Sequence, residues 1–223
     1  MKISVLIPTY NEAKEIGRLT QDIKSRNLDV LVVDDGSQDN TFEIARDAGA
    51  MVLRNQTNIG KGASLNRGFR YCLEQNYDAV ITMDGDGQHR PEDLSTFITL
   101  AQNPDNQILI GNRMDWTKTM PWVRIATNKF MSWLISNLVK QKIPDSQCGF
   151  RLIKKEVLQK LNLVTNKYEM ESELLIKGAR LGYRIQSVPI KTIYSNERSR
   201  INPFLDTLRF FRFIYREIWT TRR

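Results

Sequence analysis

A chain of 223 residues with 41% hydrophobic content has the length for one large domain and the apolar residues for a sizeable core. Its net charge of +8 favours an anionic partner: nucleotide, nucleic acid or acidic lipid surface. Two distant cysteines, Cys72 and Cys148, lack metal-ligand spacing and fit a reducing, cytosolic compartment; the N-terminal apolar stretch is too short for a signal peptide, and no segment reaches the about 18 apolar residues of a membrane span.

In chain order, ISVLIP (3–8) predicts a buried strand, and residues 12–25 place Ile16, Leu19 and Ile23 at helical spacing. VLVVDD (30–35) is a second strand, followed by a helix over 37–49 that ends at Gly49. AMVLRN (50–55) and a helix over 60–75 come next. The strand AVITMD (79–84), a helix over 91–102 opened by Pro91, and the strand QILIGNR (107–113) complete the regular half. Strands apolar on both faces and separated by helices predict an α/β fold: a doubly wound, mainly parallel sheet with helices on both faces and right-handed crossovers. Beyond it come a long helix over 122–140, a loop to Phe150, a helix around 170–181, a strand over 183–194 with Pro189 marking an edge, and a last helix after Pro203. Without repeats or a low-complexity linker, the simplest division is one domain over 1–202 and a helical extension over 203–223.

The five strand exits are polar: PTYNE, DDGS, NIGKG, DGDGQH and GNR. Ligands of open α/β sheets collect beyond the carboxyl ends of strands, so these exits predict one site on that rim. Asp84 and Asp86 point the same way if the backbone stays extended, and Gln88 continues the spacing. Two carboxylates and an amide oxygen form an all-oxygen set suited to Mg2+ or Mn2+. The alternative is a polar turn whose aspartates cap the following helix. His89, the single histidine, reads as a local hydrogen-bonding residue. No G-x-G-x-x-G follows the first strand, NIGKGAS lacks the leading glycine of a Walker loop, and nothing marks a nucleophilic serine.

Taken in order, SVLIPTYNE, VVDDGSQDNT, NIGKGAS, MDGDGQHRPED, GNR and DSQCGFRLI resemble the blocks of family-2 inverting glycosyltransferases of GT-A fold. Within that family the sequence is most similar to polyprenyl-phosphate mannose or glucose synthases, over roughly the whole chain to Asn202. The resemblance implies that Pro8, Tyr10, Glu12, Asp35, Lys61 and Asp84 bind the nucleotide sugar. It implies a metal on Asp84, Asp86 and Gln88, and Arg113 near the donor or acceptor phosphate. Asp145, Arg151 and Glu173 fall on the acceptor side, with Glu171 and Glu173 on an acidic helix near the sugar. Where subgroup members carry an arginine before a G-x-S-K segment, this chain reads SNERSRINP with Asn196 at that position, so Arg198 and Arg200 are the expected replacements. Asp86, Arg113 and Arg200 are the residues expected to carry catalysis.

The implied reaction is metal-dependent, inverting transfer of a hexose from a GDP- or UDP-hexose to a polyprenyl (dolichyl or undecaprenyl) phosphate. It would proceed at the cytoplasmic face of a membrane. A phosphate monoester, with a second pKa of about 6, is anionic at neutral pH and needs no strong base. Two alternatives stay open: transfer to a saccharide hydroxyl, with Asp145, Glu171 or Glu173 as base, and a non-catalytic nucleotide-sugar-binding module.

On a wheel of about 3.6 residues per turn, the last helix gathers Phe204, Leu208, Phe211, Ile214, Tyr215, Ile218 and Trp219 on one face. Arg209, Arg212 and Arg216 lie opposite, with Phe213 among the polar residues. A basic helix with an aromatic face predicts membrane-surface binding; docking on the core, a second copy or a membrane-protein partner is the alternative. FMSWLISNLV (130–139) is too short to span a bilayer and is suited to lie against one. Basic residues concentrate beside these aromatics and not in a nucleic-acid motif, so nucleic acid is not an expected partner.

Overall fold

The computed structural model describes residues 1–117, 120–191 and 203–220, with the backbone alone for 203–208 and 218–220. The elements run β1 (Ile3–Thr9), α1 (Ile16–Lys24), β2 (Asp29–Asp34), α2 (Thr41–Asp47), β3 (Met51–Arg54), α3 (Lys61–Glu74) and β4 (Ala79–Thr82). A 3-10 turn at Pro91–Asp93 leads to α4 (Leu94–Ala101) and β5 (Ile108–Asn112). Then follow α5 (Trp122–Val139), β6 (Arg151–Lys154), α6 (Lys155–Lys160), α7 (Glu169–Arg180), β7 (Ile185–Pro189) and α8 (Pro203–Thr220).

All the strands join one sheet in the order β3-β2-β1-β4-β6-β5-β7. β6 is antiparallel to β4 and β5, and every other pairing is parallel. β4 and β5 are buried along their whole length, and β1 and β2 almost so, because α1 and α2 pack together against one part of the sheet while α3, α6 and α7 form a separate group. The β-branched runs are thus apolar on both faces for a mechanical reason: neither face meets water. Gly68 sets how closely α3 sits on β1, since a Cβ there would lie 2.3 Å from Leu6 Cδ1.

The structure departs from the sequence expectation at three places. β6 and α6 are not predicted, because RLIK is only four residues, charged at both ends and without a readable alternation. Inserted between β4 and β5, β6 separates strands that a purely sequential sheet would pair. Helices α1 and α2 begin later than expected. Asn11 sits in the left-handed region at φ 53°, and the amides of Asn11, Glu12 and Ala13 donate to the side chains of Ser37, Thr41 and Asp39. Polar side chains offering backbone donors an alternative to the helix are a sufficient cause for the delayed starts. Pro189 does close an edge strand, as its missing N–H requires.

The third departure is in α8. Among its described side chains, Phe210, Phe213, Ile214 and Glu217 are buried, and the two aromatics and Ile214 belong to the main core. Phe211 and Tyr215, expected on the same face as Ile214, are exposed beside Arg209, Arg212 and Arg216. Glu217 pairs with Arg180 of α7, whose Nη2 also donates to the Glu217 carbonyl at 2.9 Å. A buried carboxylate with its own arginine fixes the rotation of the helix, which an apolarity wheel cannot foresee. Among the described residues no helix is long and apolar enough to cross a membrane.

Beneath the β4 exit, Phe97 of α4 stacks on Phe150 with centroids 4.4 Å apart, both fully buried. Phe97→Ala is expected to lower unfolding stability by about 3–5 kcal/mol in urea titration; a loss under about 1 kcal/mol would show that this stack does not anchor the rim.

Candidate active site

The carboxyl ends of β3, β2, β1 and β4 lie side by side, with Thr9 opposite Asp34, Asp34 opposite Arg54, and Leu6 opposite Thr82. Antiparallel β6 enters at this rim, so its lead-in residues Gly149 and Phe150 arrive beside the β4 exit instead of at the far end. Thr82 Oγ1 donates to the Gly149 carbonyl at 2.7 Å and locks the two together. Gly149 has to be glycine here: a Cβ would lie 2.6 Å from Asp84 Oδ2.

Asp84 is the centre of the rim. Lys61, the first residue of α3, places Nζ 2.6 Å from Asp84 Oδ1 and 3.0 Å from Glu171 Oε1. His89 Nε2 lies 3.3 Å from Asp84 Oδ2. Burial works against the charge on Lys61, yet Asp84 and Glu171 outweigh it and raise its pKa above the ordinary lysine value. Burial likewise opposes ionisation of Asp84, and Lys61 with His89 overcomes it and holds the carboxyl well below its usual range. Asp86 goes the other way: burial first, then the neighbouring Asp84 charge, push its pKa up.

The two aspartates are brought together by a turn and not by extended backbone. Residues 85–87 turn, Gly87 has φ 69°, and Asp86 Oδ1 accepts the Gln88 amide at 3.0 Å. The polar-turn part of the alternative is therefore present, but the aspartates do not cap the following helix: neither Arg90 nor Asp93, the N-cap residues there, carries a side-chain capping bond. Gly85 brings this loop against the β1 exit, its Cβ direction 2.8 Å from Thr9 Cγ2 and 3.5 Å from Glu12 Cγ. Tyr10 and Glu12 are half-buried in that same exit, and Pro8 pairs with Val33 within the sheet.

Several residues expected to meet substrate have partners within the frame. Asp35 is buried and accepts from Asn55 Nδ2 at 2.8 Å, Ile59 N at 3.0 Å and Gly60 N at 2.8 Å, fixing the loop that launches Lys61. Asp145 is fully buried and grips Arg113 in a fork, Oδ2 to Nε at 2.6 Å and Oδ1 to Nη2 at 2.9 Å. Arg151, expected on the acceptor side, also has its partners within the chain. It is 2% exposed and spends its guanidinium on the carbonyls of Cys148, Ser146 and Glu171, which shape the lead-in to β6. Glu173, the other carboxylate of the acidic helix, is held likewise. It points away from Glu171 on α7, is fully buried, and accepts from Val164 N, Thr165 N and Lys177 Nζ, tying down the preceding loop. Two residues apart on a helix lie on different faces, so one carboxylate of the pair serves the rim and the other the frame. Arg198, Arg200 and Asn196 lie outside the described residues.

The residues present fit a divalent cation in their chemistry. Asp84, Asp86 and Gln88 supply hard oxygen donors, and burial followed by the Asp84 charge disfavours ionisation of Asp86 in the metal-free chain, a cost that a bound cation would offset. Among the described residues no three His, Cys, Asp or Glu side chains converge into a complete site. The remaining positions would fall to water and to phosphate oxygens, as is usual for Mg2+.

Residues 4–161 match the family model described as Glycosyl transferase family 2. The chain is 31% identical over 216 residues to the UDP-N-acetylglucosamine–dolichyl-phosphate N-acetylglucosaminyltransferase of Methanococcus voltae, covering 86% of each chain. It is 33% identical over 207 residues to the undecaprenyl-phosphate mannosyltransferase of Micrococcus luteus, covering 85% of this chain and 83% of the relative. Among solved structures, glucosyl-3-phosphoglycerate synthase from Mycobacterium tuberculosis, in complex with Mn2+ and UDP-glucose, superposes with a TM-score of 0.73 at 22% identity, over 92% of this chain and 74% of that one. That likeness identifies the fold as the GT-A type anticipated from the sequence blocks.

Gly149→Ala is expected to push the Asp84 carboxylate off its partners and to reduce turnover of a nucleotide sugar by about 10–100-fold. It should still melt cooperatively, at a lowered midpoint because the Lys61–Asp84 pair is disturbed; an active variant would show that Asp84 need not sit there.

Proposed function

Because the chain belongs to glycosyl transferase family 2, we propose that it transfers a sugar from a UDP- or GDP-hexose to a polyprenyl phosphate at a membrane surface, with a divalent metal. The chain is a glycosyltransferase; the lipid acceptor is favoured by the names of the relatives it matches, which act on dolichyl and undecaprenyl phosphates. The observation that carries the reading is the convergence of Asp84, Asp86, Lys61 and Glu12 on one rim, beside the exit of β1.

Asp84, Asp86 and Gln88 would hold the metal, which when bound neutralises the departing nucleotide diphosphate. The rest falls to the chain itself. Arg113 is held by Asp145, which accepts from its guanidinium and its amide, and is the cation proposed to meet a phosphate oxygen. Pro8, Tyr10 and Glu12 line the β1 exit where a nucleoside would lie. Arg198 and Arg200 are assigned to the acceptor phosphate.

The saccharide-acceptor alternative asks for a general base, and its three candidates are committed elsewhere. Asp145 is forked to Arg113, Glu171 is paired with Lys61, and Glu173 holds the 164–165 backbone. A phosphate acceptor removes that requirement, because its nucleophilic oxygen arrives ionised. This favours the lipid phosphate over the sugar alcohol.

A membrane-facing side is supported by α5 and α8 together. Phe130 and Trp133 of α5 have ring centroids 6.1 Å apart, Phe211 of α8 lies 6.4 Å from Phe130, and Trp133 and Tyr215 are 62% and 64% exposed. Exposed aromatics next to Lys129, Arg209, Arg212 and Arg216 are the composition that headgroup regions attract, each basic residue adding about 1 kcal/mol at an anionic leaflet. The cytoplasmic leaflet is the proposed surface.

The purified chain, given a panel of UDP- and GDP-hexoses, polyprenyl phosphate vesicles and Mg2+ or Mn2+, is expected to form a glycosyl phospholipid and to lose at least about 100-fold in rate as Asp86→Ala. Undiminished activity of that variant in EDTA, or equal transfer to saccharide hydroxyls, would end the proposal. Separately, Trp133→Ser combined with Phe211→Ser should release the chain from anionic liposomes in co-sedimentation while leaving its melting curve unchanged. Retained binding would move the membrane contact elsewhere.

A further inference from the structure

Asp84 is already engaged at both oxygens by the chain's own groups, Lys61 at Oδ1 and His89 at Oδ2. Lys61 in turn has a second anion within reach, Glu171 on the first turn of α7, at 3.0 Å. The ammonium therefore bridges the residue a metal would need and a residue it would not. An ammonium and a divalent ion on one carboxylate repel each other strongly where water is scarce.

We propose that Lys61 is an exchangeable counter-ion that couples metal binding to nucleotide binding, an inference that rests on the metal and nucleotide-sugar reading above. With no metal bound it neutralises Asp84. When a divalent ion takes Asp84, Lys61 stays on Glu171 and turns its remaining N–H donors to the donor diphosphate, since an ammonium has three. The metal alone binds weakly, because it must displace an ion pair. The metal with a nucleotide binds well, because the diphosphate gives Lys61 a replacement anion. Such coupling is reciprocal, so each ligand strengthens the other by the same factor. Glu171 is a positioning residue in this scheme: it keeps Lys61 at the rim while Asp84 changes partner.

The test measures Mn2+ affinity of the full chain from the electron paramagnetic resonance signal of free Mn2+, with and without UDP or GDP. Wild type is compared with Lys61→Met, Glu171→Gln and the double variant. Lys61→Met is expected to tighten Mn2+ alone by about tenfold and to shrink the nucleotide enhancement. Glu171→Gln is expected to weaken Mn2+ alone by about fivefold, and that effect should vanish in the Lys61→Met background. Simple loss of a negative charge would weaken Mn2+ equally in both backgrounds, which would overturn the exchange. So would a folded Lys61→Met with unchanged or weaker Mn2+ binding. Should Lys61→Met fail to melt cooperatively, Glu171→Gln decides alone: a nucleotide enhancement above wild type supports the exchange, and an equal one overturns it. A wild-type chain that binds neither Mn2+ nor nucleotide would instead bring down the functional reading itself.

Discussion

The ion pair between Lys61 and Asp84 is the constraint around which the rim is organised. It holds the start of α3 against the exit of β4, and Glu171 extends it to α7, so three elements distant in sequence meet at one ammonium. Charges this poorly hydrated are costly unless paired, and each partner here is half-buried or more. The pair therefore does more than add stability. It fixes the approach of α3 and keeps the Asp84 carboxylate neutralised at the rim.

Around that pair the chain spends other carboxylates on positioning. Asp35 holds the loop that delivers Lys61, Asp145 forks Arg113, and Glu173 secures the segment leading into α7. Glu173 shows the electrostatics of this role. Burial alone would raise its pKa, but Lys177, Thr165 and the Val164 amide bring it below the ordinary glutamate value. A carboxyl of this kind contributes stability above its unfolded pKa and loses it as pH falls through the lower folded value. Functional side chains at the rim are thus rigid because a layer of satisfied acids lies behind them.

Much of this was legible in the sequence, for a physical reason. A parallel strand buried on both faces writes a continuous apolar run, and the abrupt polar residues after it mark the rim regardless of distant contacts. The polar rim and the edge position of Pro189 could be read from such local signals, whereas the turn that sets Asp84 and Asp86 could not. What stayed hidden depends on long-range pairing. β6 is four residues whose antiparallel course is set by neighbours on both sides, and the reason for Gly149 appears only when Asp84 is laid against it. Arg151 and Glu173 look like surface charges in sequence and are among the most buried residues, because their partners are backbone atoms that no motif displays. Phe213 was misplaced by the wheel since Glu217, a polar residue, faces inward with it.

The inward turn of Glu217 also bears on how two anionic substrates would reach one chain of charge +8. If α8 docked on the core through the apolar face of the wheel, Phe211 and Tyr215 would be covered and its arginines alone would face water. Docked through Phe210, Phe213 and Ile214, it instead shows Phe211 and Tyr215 alongside three arginines, continuous with the aromatics of α5. The rim is acidic at Asp84 and Asp86, while this helical side is basic and aromatic. Attraction for a free nucleotide and attraction for an anionic interface are thereby placed on different surfaces, and net charge alone would be a poor guide to either. A donor carried with its cation suits the first, and an acceptor phosphate embedded in a leaflet suits the second.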